Sequence, residues 1–84
     1  MLVHSMLRIY STAACGYCKH AKAFMDKQGI AYEEIRVDRD EKAAREMIHM
    51  TGQQGVPVIT NGKQYVVGFD PHGIQHLAGV PHQH

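Results

Sequence analysis

The chain has little of several features that would assign it to a specialised class of protein. Nine Lys and Arg residues against eight Asp and Glu residues leave a net charge of +1, whereas proteins that bind nucleic-acid phosphates normally carry a strong basic excess. No apolar run approaches the roughly 18 residues that a membrane-spanning helix needs. With 84 residues the chain is too short for two independent cores, because a domain usually takes roughly 100–200 residues. We therefore expect one domain over residues 1–84 that binds neither nucleic acid nor membrane.

Cysteine is also scarce, and the two that occur are close together. Cys15 and Cys18 are separated by two residues, and a bridge that closes so short a loop adds little stability through chain entropy. A secreted protein of this size usually needs several disulfides, and the first residues, MLVHSMLRIY, do not have the pattern of a secretory signal. We therefore expect a cytoplasmic protein whose cysteine pair has a chemical role.

The apolar pattern predicts the element order β-α-β-α-β-β-α. Five residues, MLRIY, indicate the first strand, and residues 16–28 have helical periodicity up to a stop at Gly29. Asn61-Gly62 predicts a hairpin, and Asp70 is expected to cap the last helix. The remaining elements are a strand in IAYEEIRV, a helix in DEKAAREMIHMT capped by Asp38 or Asp40, and strands in VPVIT and QYVVG.

This order predicts an α/β fold with a four-stranded mixed sheet flanked by three helices. A strand–helix–strand unit implies a parallel pair with a right-handed crossover, and the hairpin adds an antiparallel pair. In the second helix, Ala43, Ala44, Met47, Ile48 and Thr51 form an apolar stripe, and in the first helix Ala21, Met25 and Gln28 share a face. The core is expected over residues 6–79, with a flexible tail at 80–84.

The cysteine pair lies where the first strand's loop enters the first helix. A helix N-terminus carries partial positive charge and unpaired N–H groups, which favour a thiolate at Cys15. Cys18 is one turn deeper on the same side and is expected to be less exposed. Cys15 is therefore the predicted nucleophile and Cys18 the resolving thiol. Lys19 and Lys22 are cations near the pair that can add to thiolate stability.

Other functions of a C-x-x-C motif fit this sequence less well than redox chemistry does. A zinc site usually has a second cysteine pair or two suitably spaced histidines, and haem attachment needs a histidine where Lys19 stands. We expect no metal site, although a binding module that carries a metal on the two thiolates remains the alternative from another class. The seven histidines are interpreted as scattered solvated side chains: His4, His20, His49, His72, His76, His82 and His84.

Pro57 is the second informative residue. It stands at the start of a predicted strand, where a proline removes no interior ladder hydrogen bond. A cis peptide before Pro57 leaves the Val56 N–H and C=O free for an extended peptide to pair as an added strand. An ordinary trans proline is the alternative.

Taken together, the first strand, the loop STAA, the motif CGYC, the segment GVPVI, the hairpin and VVGFDP resemble the glutaredoxin family of the thioredoxin fold. The resemblance covers about residues 6–79 and is strongest to short glutaredoxin-like redoxins, including the YruB-like group and those that serve ribonucleotide reductase. It implies that Cys15 is the nucleophile, Cys18 the resolving thiol and Pro57 a cis-proline. It also implies that Val56 offers its main chain to the substrate or to glutathione.

Several positions depart from the family pattern. Gly16 stands where these proteins often have proline, and Thr12 stands where many glutathione-using members have lysine. Gly68-Phe69-Asp70 is more similar to the redoxins coupled to ribonucleotide reductase. Asp70 either binds a glutathione amino group or only caps the helix, Phe69 is a rim or core residue, and Tyr17 is an exposed stacking residue.

The resemblance implies a dithiol oxidoreductase with no bound cofactor. Its substrates are disulfide-containing proteins or glutathione mixed disulfides, and its electrons come from glutathione or from a flavin-dependent reductase. The competing interpretation differs only in the donor: a redoxin without a glutathione site that is reduced by a flavin-dependent thioredoxin reductase. We expect a monomer.

Overall fold

The computed structural model describes residues 6–79, so the predicted tail at 80–84 lies outside the described residues. The predicted element order is confirmed. Within the described range, no helix is long and apolar enough to cross a membrane. The elements are β1 (Leu7–Ser11), α1 (Gly16–Gln28), β2 (Tyr32–Arg36), α2 (Glu41–Thr51), β3 (Val58–Thr60), β4 (Tyr65–Val67) and α3 (Pro71–Ala78).

The four strands form one mixed sheet in the order β2-β1-β3-β4. β1 runs parallel to β2, with Ser11 opposite Arg36, and antiparallel to β3, with Tyr10 opposite Val58. β4 pairs antiparallel with β3, with Val67 opposite Val58. The predicted thioredoxin-like arrangement of sheet and helices is therefore present.

Local signals in the sequence set the ends of all three helices. Side chains that accept a main-chain N–H three residues ahead begin the helices, and glycines at positive φ end them. Of the two aspartates considered for α2, it is Asp40 that accepts the Ala43 N–H, at 3.0 Å. The caps are Cys15, Asp40 and Asp70, and the terminating glycines are Gly29, Gly52 and Gly79.

The two faces of the sheet carry separate buried clusters. On one face Leu7, Ile9 and Ile59 pack against α1 and α3. On the other face Tyr10 and Val58 pack against α2. Because side chains alternate along a strand, neighbouring positions of β1 contribute to different clusters.

Two side chains that the sequence pattern places on apolar helix faces are exposed in the structure. Ile48 is 37% exposed, although Met47 beside it is buried, because successive residues of a helix are turned by about 100° around its axis. Gln28 is exposed at the last position of α1, just before the chain turns at Gly29. The buried stripe of α2 therefore consists of Ala43 and Met47.

The predicted hairpin is present, with four residues connecting β3 to β4. The Oδ1 atom of Asn61 accepts the N–H groups of Lys63 and Gln64, both at 2.9 Å. Gly62 follows Asn61 at φ 94°, a backbone conformation that favours glycine. This turn sets the register in which Thr60 faces Tyr65.

Candidate active site

The strand register brings the predicted site residues to one end of the sheet. Cys15 follows the carboxyl end of β1, and the start of β3 lies opposite that end because the two strands are antiparallel. Phe69 follows the end of β4, whose Val67 faces Val58 at the start of β3. The same end of the sheet therefore carries the cysteine loop, the Val56-Pro57 segment and the segment before α3. We refer to it below as the disulfide end.

Cys15 and Cys18 form a disulfide across the first turn of α1, with their Cα atoms 5.2 Å apart. Cys15 is the N-cap residue, and its Sγ accepts the Cys18 N–H at 3.1 Å. Cys15 is half-buried, whereas Cys18 is 1% exposed. The expected difference in exposure between the two cysteines is therefore present, with Cys15 nearer the surface than Cys18.

The loop between β1 and Cys15 is attached to the end of β2. The Asp38 Oδ2 accepts the Ala13 N–H at 3.3 Å, and the Cys15 N–H donates to the Thr12 carbonyl at 3.4 Å. Arg36 donates to both carboxylate oxygens of Asp38, at 2.8 and 2.7 Å. Because of these two charge-assisted bonds, the pKa of Asp38 lies well below its usual range. An ionised Asp38 thus helps to hold the cysteine loop.

A second polar network connects α1 to the sheet beneath the site. The Glu34 Oε2 accepts the hydroxyl of the fully buried Ser11 at 2.6 Å and the Lys22 ammonium at 2.8 Å. The bond from Lys22, followed by the bond from Ser11, lowers the pKa of Glu34. Lys22 was expected to support the Cys15 thiolate, but its ammonium group forms an ion pair with Glu34.

The peptide bond between Val56 and Pro57 is cis. Pro57 is buried, and its carbonyl accepts the Gly68 N–H at 2.8 Å, which joins this segment to the end of β4. Both ladders of β3 begin at Val58, so Val56 lies just outside the paired part of the sheet. The register therefore places Val56 at the same end of the sheet as the cysteine loop, and its contact with a substrate stays a prediction.

Aromatic rings form a row across the surface from α1 to the segment before α3. The ring centre of His20 is 6.2 Å from that of Tyr17 and 6.1 Å from that of Phe69, onto which it stacks at 27°. Phe24 meets Phe69 edge-on at 6.0 Å. Tyr17 is 67% exposed and Phe69 36% exposed, and a cavity of about 280 Å³ is lined by Gly16, Tyr17 and His20. Both aromatic site residues predicted from the sequence therefore stand at the surface.

His20 is the member of this row that sequence reasoning missed, since it was grouped with the scattered histidines. The available signal was its spacing, three residues after Tyr17 and four before Phe24. Residues so spaced on a helix are neighbours on one face. The polar network of Ser11, Glu34 and Lys22 had no comparable signal, because its members come from three different elements.

Asp70 caps α3, where its Oδ1 accepts the Gly73 N–H at 3.1 Å. This confirms the predicted capping role. The second predicted role, contact with glutathione, stays a prediction. Within residues 6–79, no group of three or more His, Cys, Asp or Glu side chains is arranged to hold a metal ion.

Comparisons with known proteins agree with this architecture. The family model described as Glutaredoxin matches residues 7–66. A protein of Clostridium pasteurianum, described as an uncharacterized glutaredoxin-like 8.6 kDa protein in the rubredoxin operon, is 36% identical over 72 residues. That match covers 86% of this chain and 96% of the relative. Glutaredoxin 3 of Escherichia coli K12 is 33% identical over 64 residues, covering 76% of this chain and 77% of that protein.

Solved structures show the same fold. The glutaredoxin-like protein NrdH-redoxin from Escherichia coli, described as having a thioredoxin-like activity profile, superposes with a TM-score of 0.76 at 32% identity. It covers 86% of this chain and 93% of its own. A glutaredoxin from Archaeoglobus fulgidus superposes with a TM-score of 0.78 at 23% identity, over 87% of this chain and 85% of its own. At that identity the second likeness supports the fold alone.

Proposed function

Because the chain belongs to the glutaredoxin family of thiol-disulfide oxidoreductases, we propose that it reduces disulfides on proteins, or glutathione mixed disulfides, through a Cys15–Cys18 cycle. The observation that carries this proposal is the disulfide across the first turn of α1. The two cysteines differ in exposure, since Cys15 is half-buried and Cys18 is 1% exposed. That difference supports attack on the substrate by Cys15 and resolution by Cys18.

The cycle begins with the reduced protein. The Cys15 thiolate attacks one sulfur of the substrate disulfide, the substrate S–S bond breaks, and the leaving sulfur takes up a proton. The product is a mixed disulfide between Cys15 and the substrate. The helix N-terminus favours the attacking thiolate, and the Cys18 N–H already points at the Cys15 Sγ from 3.1 Å.

The second step resolves the mixed disulfide. Cys18 loses its proton and attacks the Cys15 Sγ, the bond to the substrate breaks, and the second substrate sulfur leaves as a thiol. Two electrons and two protons have then passed to the substrate, and the Cys15–Cys18 disulfide has formed. Burial of Cys18 keeps it from competing with Cys15 for the substrate.

Five residues support a binding site for the substrate beside Cys15. The Val56 main chain lies just before the paired part of β3. An extended peptide or glutathione bound there forms strand-like hydrogen bonds with the Val56 main chain. Pro57, held to Gly68 by its carbonyl, fixes the position of that segment. Tyr17 and Phe69 supply exposed rings for stacking, and Asp70 offers its carboxylate to an amino group of glutathione.

Two electron donors are compatible with this cycle, and specific residues favour each. Asp70 supports glutathione. Thr12 in place of lysine and Phe69 before Asp70 support the alternative, a redoxin reduced by a flavin-dependent thioredoxin reductase. The thioredoxin-like activity profile attributed to NrdH-redoxin, which is 32% identical, adds support for that alternative. We propose glutathione as the donor and test the reductase beside it.

The remaining expectations form part of the same proposal. We propose a monomeric single domain, with its working part in residues 6–79, that acts without a bound cofactor or metal in the cytoplasm. A reducing compartment suits a dithiol that must be regenerated after each turnover.

The test is reduction of a small mixed disulfide coupled to NADPH oxidation. One reaction contains glutathione and glutathione reductase, and a parallel reaction contains thioredoxin reductase. We expect turnover with glutathione that disappears in Cys15→Ser. Turnover only with thioredoxin reductase contradicts the proposed donor and supports the alternative. No turnover in either reaction, from folded protein with both thiols free, contradicts the proposed cycle. Stoichiometric metal bound to the purified protein, together with that lack of turnover, supports the metal carrier.

A further inference from the structure

The first turn of α1, which carries the disulfide, has a cation and no carboxylate. Lys19 is exposed there and belongs to none of the ion pairs found within residues 6–79, and no acidic residue stands in that turn. The carboxylates at the disulfide end come from other segments: Asp38 is held by the Arg36 guanidinium, and Asp40 and Asp70 cap α2 and α3. The charge that α1 itself presents beside the disulfide is therefore positive.

Lys19 is close to the reactive sulfur along the helix. It follows Cys15 by four residues, which is about 6 Å along the axis at 1.5 Å per residue. That separation is within the Debye length of about 8–10 Å at physiological ionic strength. A charge on a docked partner near Cys15 therefore interacts with Lys19 without full screening by salt.

The aromatic row adds apolar surface on the same part of the helix. The ring centres of Tyr17, His20 and Phe69 follow one another at distances of about 6 Å, and all three residues are exposed. Exposed apolar side chains rimmed by polar ones mark surfaces that bind other proteins. Aromatic residues are also enriched at such interfaces.

We propose that Tyr17, Lys19, His20 and Phe69 form a docking rim for an acidic segment of a substrate protein, one that carries carboxylates beside its disulfide. This inference rests on the proposed function and adds the substrate class. The occupant follows from charge complementarity: a segment with Asp or Glu next to its cysteine is attracted to Lys19, and a basic segment is repelled. The rings hold the backbone and apolar side chains of the same segment.

The same helix supplies a matched control for Lys19. Lys27 is exposed in the last turn of α1 and also takes part in none of the ion pairs described. It follows Cys15 by twelve residues, about 18 Å along the axis, which exceeds the Debye length at physiological salt. Lys27→Glu changes the net charge by the same amount as Lys19→Glu but leaves the rim intact.

The experiment measures kcat/KM for the reduced protein on three peptide disulfides that differ only in the residues flanking cysteine: glutamate, glutamine or lysine. We expect the glutamate peptide to react about three- to five-fold faster than the lysine peptide at low ionic strength, as for one or two exposed charge pairs. High salt removes the difference. The ratio between peptides cancels any change in the intrinsic reactivity of Cys15, so the comparison isolates docking.

Lys19→Glu is expected to reverse the order of the peptides, and Lys27→Glu to preserve it. Equal rates on all three peptides with the wild-type protein overturn the docking rim but leave the proposed function standing. An equal effect of the two lysine variants also overturns it, because the preference then reflects net charge alone. Failure to reduce any peptide or a small disulfide contradicts the proposed function itself.

Discussion

The N–H of Cys18 donates a hydrogen bond to the Sγ atom of Cys15 over 3.1 Å. The atom that caps α1 is thus the same atom that changes partner in each half of the proposed cycle. A sulfur that accepts a helix N–H is stabilised most when it carries negative charge, because hydrogen bonds to ionised acceptors are the stronger ones. The cap therefore favours the thiolate that the first step requires.

Replacing Cys18 with serine is expected to stop the cycle after its first step. Cys15 keeps its exposure and its main-chain donor at position 18, so it still forms the mixed disulfide, but no resolving thiol remains. Intact-mass analysis after incubation with a disulfide peptide is expected to show one peptide per chain, removable by reductant. Cys15→Ser is the control and is expected to trap nothing. Equal trapping by both variants contradicts the assigned roles.

Replacing Ser11 with alanine removes the buried donor to Glu34. The hydroxyl is fully buried and its bond to a carboxylate measures 2.6 Å, so we expect a loss of about 1 kcal/mol in the free energy of unfolding. Urea denaturation measures it. The control is Arg8→Ala, since the side chains of Arg8 and Glu33 are 59% and 55% exposed and their contact measures 3.6 Å. Such exposed pairs contribute about 0–1 kcal/mol. A loss from Arg8→Ala as large as that from Ser11→Ala contradicts the assignment.

Replacing each of two neighbouring residues of α2 with alanine is expected to cause very different losses of unfolding free energy. Met47 is 2% exposed within the cluster that joins α2 to the sheet, whereas Ile48 is 37% exposed. Met47→Ala is expected to cost about 2–5 kcal/mol in unfolding free energy, because it leaves a cavity. Ile48→Ala is expected to cost less than about 1 kcal/mol, since less apolar surface is removed from the interior. Similar midpoints of denaturation for the two variants contradict the packing described.

Stability is expected to fall in acid, in part through Asp38 and Glu34. Hydrogen bonds from Arg36 and from Lys22, respectively, lower the pKa of each carboxyl in the folded protein. As the pH falls, the unfolded chain therefore binds protons before the folded protein does. This contribution to stability is complete above a pH of about 5 and is lost as the pH falls through the lowered pKa values.

The measurement is the urea midpoint between pH 7 and pH 2. Asp38→Asn is expected to be less stable than the wild type at pH 7 and to lose less stability on acidification. Glu33→Gln serves as the control, since the Glu33 side chain is 55% exposed and its contact with Arg8 measures 3.6 Å. If acid lowers the urea midpoint of Asp38→Asn as much as that of the wild type, carboxyl groups other than Asp38 are responsible for the decline.

Asp70 has a structural role and a proposed binding role that two variants separate. Asp70→Ala removes the cap of α3 and is expected to cost about 1 kcal/mol in unfolding free energy. Asp70→Asn keeps a capping oxygen for the Gly73 N–H, so its stability is expected to match the wild type closely. The same variant loses the carboxylate charge, and we expect a raised KM for glutathione with little change in kcat. An unchanged KM restricts Asp70 to capping.

Local signals in the sequence predicted much of this fold. The glycines that end the helices and the capping aspartates act through main-chain hydrogen bonds within a few residues, so their consequences can be read without the tertiary structure. The bounds of α1 followed from helical periodicity together with Gly29. The hairpin followed from Asn61-Gly62, although the length of its connection depends on side-chain bonds of Asn61 that composition does not specify.

Features that join distant segments were predicted less well. The stacking of His20 on Phe69 joins residues 49 positions apart, and the bond from Lys22 in α1 to Glu34 in β2 joins residues 12 positions apart. The exposure of Ile48 depends on which part of the apolar stripe faces the sheet, and the stripe alone does not reveal that the buried side is the one with Ala43 and Met47. The cysteine pair was predictable because both of its members lie within one turn of a single helix.

The hairpin at Asn61 and Gly62 lies at the end of the sheet remote from the disulfide. Met6 lines a small cavity with these two residues, and the Asn61 side chain donates to the Leu77 carbonyl at 3.2 Å near the end of α3. The turn therefore connects the start of β1 with the end of α3. Lys63 in this turn is exposed, so a fluorophore or a surface linker attached to it is held away from the reactive sulfur. The turn is thus a suitable point of attachment for an immobilised redox probe.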